Sequence, residues 1–334
     1  MFRTFRHKKS DLLCNDLVVG TARKKVNPWW LTCTETVSMF ELWQDVPHTW
    51  PSTVRIRGKL GYRHCNGGYH CGYAVGVILS KNWVLTSGDE CRRRHPAQLS
   101  VAVGAHYDSS CDYSGICDAY KGIYRTNTPY LTGATVNVSQ IVLHPNYTTH
   151  DRASDKYAVW NMCLLEVDDM PIDNQIVTAA TLPLIHIGDV HTMNPKCFAV
   201  GWGATKGSPP KRPFPDTRNL KHSPVVLSTE IILIKNGSCT NRSGDNLGFP
   251  YRYIVDFSHN FCAGMIPGHD TCLGDGGSPL ICTIGDSQVV YGIFSTGPKV
   301  CGNYRGNLPG IYTTVARGIS WIQQYVPGKH NIYK

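Results

Sequence analysis

Residues 270–282 read DTCLGDGGSPLIC. Three glycines set around Asp275 mark a tight turn, because glycine alone enters positive-φ backbone at little cost. Two cysteines bracket the turn, and the SPLICTI that follows has the composition of a short buried strand. At the centre, between Asp275 and Gly277, stands Gly276, which brings no side chain.

Further strand-like runs extend in both directions, separated by Gly, Pro and Asn turns. STVRIRG, AVGVILS, NWVLTS, LSVAVGA and VNVSQIVL come first; KCFAVGWG, VVLSTEIILI, QVVYGIFS and GIYTTV follow LPLIHIGD. Short runs of this kind in two successive series predict an all-β chain of two barrels or sandwiches. The last periodic segment, VARGISWIQQYV, has apolar residues at 315, 319, 322 and 326, the repeat of an amphipathic closing helix. Residues 1–40 are basic and without clean periodicity, so two regions are expected: an N-terminal extension (1–40) and one large domain (41–334).

The chain is 17 % charged and 42 % hydrophobic, with 32 Gly and 20 Pro, a profile of turn-rich β structure. No apolar run approaches the ~20 residues of a membrane span. Fourteen cysteines at irregular spacings read as structural disulfides of an oxidising compartment rather than as a metal centre. Sequons at Asn137, Asn146, Asn236 and Asn241 agree with a secretory route, and an extracellular location is expected. The opening MFRTFRHKKSDLLCNDLVVG shows no uninterrupted signal-peptide core. The net charge of +9 concentrates at Arg92, Arg93, Arg94 and His95 and along residues 206–222. Solvated loops or a face for anionic glycans fit it; no nucleic-acid motif accompanies it.

Seven motifs carry a more specific message: VGVILSKNWVLTSGDEC (75–91), LHPNY (143–147), CFAVGWG (197–203), NFCAGM (260–265), DTCLGDGGSPLIC (270–282), GIFSTGPKVCG (292–302) and LPGIYTTV (308–315). In this order they resemble the chymotrypsin/trypsin family of serine proteases, from about Pro47 to Val326. The resemblance implies two six-stranded antiparallel β-barrels and a C-terminal helix. It also implies a catalytic histidine, aspartate and serine, and none of the three stands in its place. Glu90 occupies the histidine position, with one extra residue in its turn; Asn161 the aspartate position in NMCLLEV; Gly276 the serine position. A carboxylate has neither the reach nor the near-neutral pKa of an imidazole. Asparagine brings no charge to steady an imidazolium. Ser278 lies two residues along the turn and is expected to pack beneath it, and His95, the nearby candidate base, has no evident orienting acid.

On the same resemblance Asp270 matches a carboxylate that selects Arg or Lys side chains. Ser295, Gly297 and Gly310 match its pocket wall, with Thr296 where a tryptophan is usual, and Gly274 and Gly276 the remnant of an oxyanion hole. Implied disulfides are Cys71–Cys91, Cys111–Cys117, Cys197–Cys282, Cys239–Cys262 and Cys272–Cys301. Cys65 competes for Cys91, and Cys14, Cys33 and Cys163 have no assigned partner. Asp108, Asp112 and Asp118 make a solvated acidic loop rather than a calcium site, so no metal and no cofactor is implied. Active members bury a newly cut terminal amine against the aspartate matched by Asp275. The matching start, near Met39 in TVSMFELWQ, has no basic cleavage site, and VVGT (18–21) is only faintly similar.

The expected function is therefore that of a non-catalytic serine protease homologue, similar to those of arthropods, which binds proteases or zymogens in an extracellular cascade. A basic glycan-binding homologue resembling azurocidin and an unconventional active peptidase are the alternatives. A typical clip domain is not recognisable, since only Cys14 and Cys33 precede the barrels.

Overall fold

The computed structural model describes residues 48–58, 74–106, 133–149, 157–173, 175–183, 194–204, 223, 225–234, 255–264, 269–297, 309–326 and 332–333. The 1–40 extension and the whole of the 206–222 basic stretch lie outside them.

Six strands form a first closed barrel in the order β1-β2-β3-β6-β5-β4. They are β1 (Thr53–Gly58), β2 (Ala74–Ser80), β3 (Trp83–Thr86), β4 (Leu99–Val103), β5 (Ala134–Leu143) and β6 (Cys163–Val167). After the two-residue β7 (Leu182–Pro183), six more close the second barrel in the order β10-β13-β12-β11-β8-β9. These are β8 (Lys196–Gly201), β9 (Leu227–Ile234), β10 (Asn260–Gly264), β11 (Pro279–Ile284), β12 (Ser287–Thr296) and β13 (Gly310–Thr314). Every pairing within the barrels is antiparallel. β14 (Ile332–Tyr333) pairs in parallel with β7. The two-barrel expectation is met, and closure leaves no open sheet edge in either barrel.

The period-2 alternation of β2 explains how the barrels join. Ala74 and Ile78 point into the first barrel, with Val84, Val101 and Leu165. Val75, Val77 and Leu79 point the other way, into a core shared with Trp202, Ile281 and Ile293 of the second. Each fully buried aliphatic side chain contributes roughly 1.5–3 kcal/mol, so a strand buried on both faces is a strong tie. The α-helix α2 (Val315–Tyr325) covers this shared core with Val315, Ile319, Trp321 and Ile322. Its Gly318 lets Met162 approach: a Cβ there would stand 2.6 Å from Met162 Cε. Among the described residues no helix is long and apolar enough to cross a membrane.

Cys197–Cys282 forms as expected, because β8 and β11 pair in a register that sets the two residues opposite each other. Cys71–Cys91 is corrected. Cys91 joins Cys163, with Cα atoms 6.4 Å apart. The reason is register: β3 pairs with β6 at Thr86↔Cys163, and the one-turn helix α1 (Gly88–Cys91) leaves the end of β3 and delivers Cys91 beside it. Cys262 and Cys272 are disulfide-bonded, while their expected partners Cys239 and Cys301 lie outside the described residues. So do Cys14, Cys33, Cys65, Cys71, Cys111 and Cys117, together with Asp108, Asp112 and Asp118.

Candidate functional site

Two turns face each other across the barrel interface, residues 87–91 from the first barrel and 272–278 from the second. The second is fixed mainly by its backbone. Asp275 N–H donates to Cys272 O (3.0 Å), Ser278 N–H to Asp275 O (2.9 Å) and Gly277 N–H to Phe294 O (3.0 Å). Val75 N–H of β2 donates to the Gly276 carbonyl at 2.8 Å, a direct bond from one barrel to the other. Gly274 and Gly277 have φ of +96° and +79°, which explains two of the three glycines read from the sequence. At Gly277 there is also no room, since a Cβ would overlap Thr86 Oγ1 and the Val75 carbonyl. Ser278 is fully buried, and its hydroxyl donates to Val200 O at 2.8 Å.

The Asp275 side chain closes the same turn from within. It is 1 % exposed. Oδ1 accepts from Gly203 N–H (2.7 Å) and Oδ2 from Cys272 N–H (3.0 Å). Burial pushes its pKa up to about 6, against the two backbone N–H groups and the positive charge of Arg55.

The 87–91 turn is organised by side chains. Asn161 is fully buried and makes three bonds. Its Oδ1 accepts from Asp89 N–H (2.9 Å), and its Nδ2 donates to Asp89 Oδ2 (2.8 Å) and to Ser295 Oγ (2.6 Å). Asp89 Oδ1 in turn accepts from Tyr147 O–H at 2.5 Å. Burial, then the bond to Asp89, raises the Tyr147 pKa, so this hydroxyl remains a donor. The extra residue in the turn thus makes Asp89, which sequence reasoning passed over, the partner of Asn161. The signal was the extra residue itself.

Glu90 turns the other way, toward Gly276. A Cβ on Gly276 would overlap Glu90 Oε1 and stand 3.0 Å from Glu90 Cδ. The carboxylate therefore lies against the place where a residue-276 side chain would begin. Its other oxygen is 3.8 Å from Arg94 Nη2, and the side chain is 26 % exposed. Burial raises its pKa, and Arg94 opposes the rise.

Behind Asn161, Trp160 adopts a positive φ of 53°, unusual for a bulky residue. Its ring stacks on His144 (centroids 4.4 Å, 7°) and meets His259 at 4.4 Å. Burial, and then His259, lower the His144 pKa to about 4.

Of the residues expected to line a specificity pocket, Ser295 is drawn into the Asn161 network, while Asp270, Gly297 and Gly310 gather around two aromatic rings. Asp270 is 6 % exposed, and its Oδ1 accepts from Thr271 N–H at 2.8 Å. A Cβ on Gly297 would stand 3.0 Å from Phe294 Cζ, and one on Gly310 3.3 Å from Phe294 Cε2 and 3.2 Å from Tyr312 Cε2. The Phe294 ring thus takes up the space that the two glycines leave. Phe294 is the second residue at this site that the sequence reading did not name; an aromatic at the end of an apolar strand gives no sign of which way its ring turns.

Comparison with known proteins agrees with this architecture. The family model described as Trypsin matches residues 44–322. The CLIP domain-containing serine protease B4 of Anopheles gambiae is 26 % identical over 281 residues, covering 82 % of this chain and 66 % of that protein. With two closed six-stranded barrels and a family match over most of its length, the chain belongs to the trypsin family.

Proposed function

We propose that this protein is a non-catalytic member of the trypsin family, which acts by binding a protease or zymogen in an extracellular cascade. The observation that carries the reading is the side-chain set at the three positions where active relatives hold their triad. Asn161 is committed to Asp89 and Ser295, Glu90 leans on Gly276, and Gly276 has no side chain to act as a nucleophile. A general base must lie within hydrogen-bond reach of the proton it removes, and no hydroxyl stands at 276. The likeness to a CLIP-domain protease supports the cascade setting. The unconventional-peptidase alternative loses its nucleophile candidate, because Ser278 is buried and hydrogen-bonded to Val200.

The test has two arms. Purified protein is expected to remain unlabelled by a fluorophosphonate and to leave an Arg-ester substrate intact, while retaining a protease zymogen on a sensor surface. Labelling mapped to Ser278 overturns the reading. The glycan-binding alternative is favoured by Arg92 and Arg93, both exposed just past α1. Strong retention on heparin that salt abolishes, without zymogen capture, would select it.

A further inference from the structure

β1 carries a buried cation to the barrel interface. Arg55 is 2 % exposed and lies mid-strand, paired with Val75 of β2 and Ala102 of β4. Its guanidinium lies over the Trp202 ring, 5.8 Å from the centroid, and Nη1 donates to the Ser223 carbonyl at 3.4 Å. Asp275 grips the same segment. Its carboxylate is wedged against Gly201 and Gly203, the residues flanking Trp202, and a Cβ on either would overlap it. The two charges are joined by a short relay. Ser223, which accepts from Arg55, donates its N–H to Gly203 O at 3.0 Å, and Gly203 donates its own N–H to Asp275 Oδ1 at 2.7 Å.

We infer that Arg55 is a positioning residue: its charge, delivered from the first barrel, balances Asp275 and locks the 272–278 turn across the interface without a newly cut chain terminus. Burying either charge by itself is expensive, and removing one partner leaves the other uncompensated. The electrostatics agree, since Arg55 opposes the rise that burial imposes on the Asp275 carboxyl. The functional consequence is that this wall of the cleft is formed as soon as the chain folds, so the surface offered to a partner needs no proteolytic processing.

The test is a double-mutant cycle on the full chain, with Arg55→Met, Asp275→Asn and both together, read by urea unfolding. Arg55→Met should lower the folding equilibrium constant at least tenfold more when Asp275 is present than in the Asp275→Asn background, a coupling of about 1.4 kcal/mol. Additive effects would overturn the inference, because a purely packing role for Arg55 is blind to the charge at 275. If Arg55→Met alone fails to fold, the double variant decides. Recovered folding supports the clamp, and continued failure refutes it. Slower amide exchange of residues 272–278 in the native protein than in Arg55→Met is the second expected signature.

Discussion

The two turns that meet in the cleft differ in what holds them. The 272–278 turn is held by main-chain bonds, left-handed glycines and one buried carboxylate. The 87–91 turn is held by side chains: Asp89 with Asn161 and Tyr147, Glu90 with Arg94. A backbone-built wall keeps its shape under substitutions that spare its left-handed glycines and Asp275, because its main-chain bonds do not depend on residue type. A side-chain-built wall can exchange its chemistry completely while the barrel behind it stays closed. The cleft of this protein therefore combines a backbone-built frame with side-chain-built contents.

The largest expected effect tests how the side-chain wall is anchored. Cys91 and Cys163 are 72 residues apart in sequence, and opening a loop of that length costs about 4 kcal/mol in the chain-entropy account. Cys91→Ala with Cys163→Ala is expected to lower stability by about that amount in urea unfolding. A loss below about 1 kcal/mol would show that α1 is held by the Asp89–Asn161 network instead.

This bridge also shows where sequence reading stops. The two barrels were legible because alternating apolar runs record which face is buried, as in β5, where Val136 and Val138 are buried and Thr135, Asn137 and Ser139 exposed. The closing helix was legible for the same reason. Cys91–Cys163 was not, because it depends on the register of β3 against β6, which spacing along the chain does not encode. Asp89 and Phe294 were missed for a related reason: one inserted residue rotates its neighbours, and a ring's direction is set by what surrounds it. That position 276 brings no side chain was plain in the sequence; that Glu90 leans into the space beside it was not.

The next effect concerns the ground behind Asn161. His144 is 5 % exposed, and its pKa falls from 6.5 to about 4 on folding. A histidine with a lowered folded-state pKa leaves the unfolded chain binding more protons between those values, so stability is lost as pH falls from 6.5 toward 4, by about 3 kcal/mol. His106, also lowered to about 4, acts in the same direction. Asp275 acts oppositely: with a folded value of about 6 against 3.8, its contribution rises as pH falls through that window. The comparison between His144→Phe and wild type isolates one group. The variant should lose less stability on acidification from pH 6.5 to 4.5; parallel curves would show that His144 titrates normally in the fold.

Gly277→Ala probes the backbone-built wall directly. A methyl there meets the Val75 carbonyl and Thr86 Oγ1 at a backbone φ of +79°. Overpacking and left-handed strain together should cost about 3 kcal/mol, seen as a shifted urea midpoint. A neutral result would mean that the turn can lift from β2, and that the inter-barrel bond from Val75 to Gly276 is not fixed.

The smallest effect is expected one residue earlier, and it separates the two walls most sharply. Gly276 does not adopt a positive φ, so a side chain is conformationally allowed there. What it meets is Glu90, whose Oε1 it would overlap and whose Cδ would stand 3.0 Å away. Those atoms are the far end of a flexible side chain that is a quarter exposed and already faces Arg94 at 3.8 Å. Gly276→Ser should therefore displace Glu90 toward Arg94 at a cost of about 1 kcal/mol, that of one strained rotamer, and Glu90→Ala should remove the cost. The new hydroxyl should still resist phosphonylation by a fluorophosphonate, because Asn161 is bonded to Asp89 and the turn supplies no imidazole to accept the proton. If Gly276→Ser costs as much as Gly277→Ala, Glu90 is a fixed part of the cleft rather than a movable one. Both walls would then be equally rigid, and the distinction between frame and contents would fail at the residue where it was first drawn.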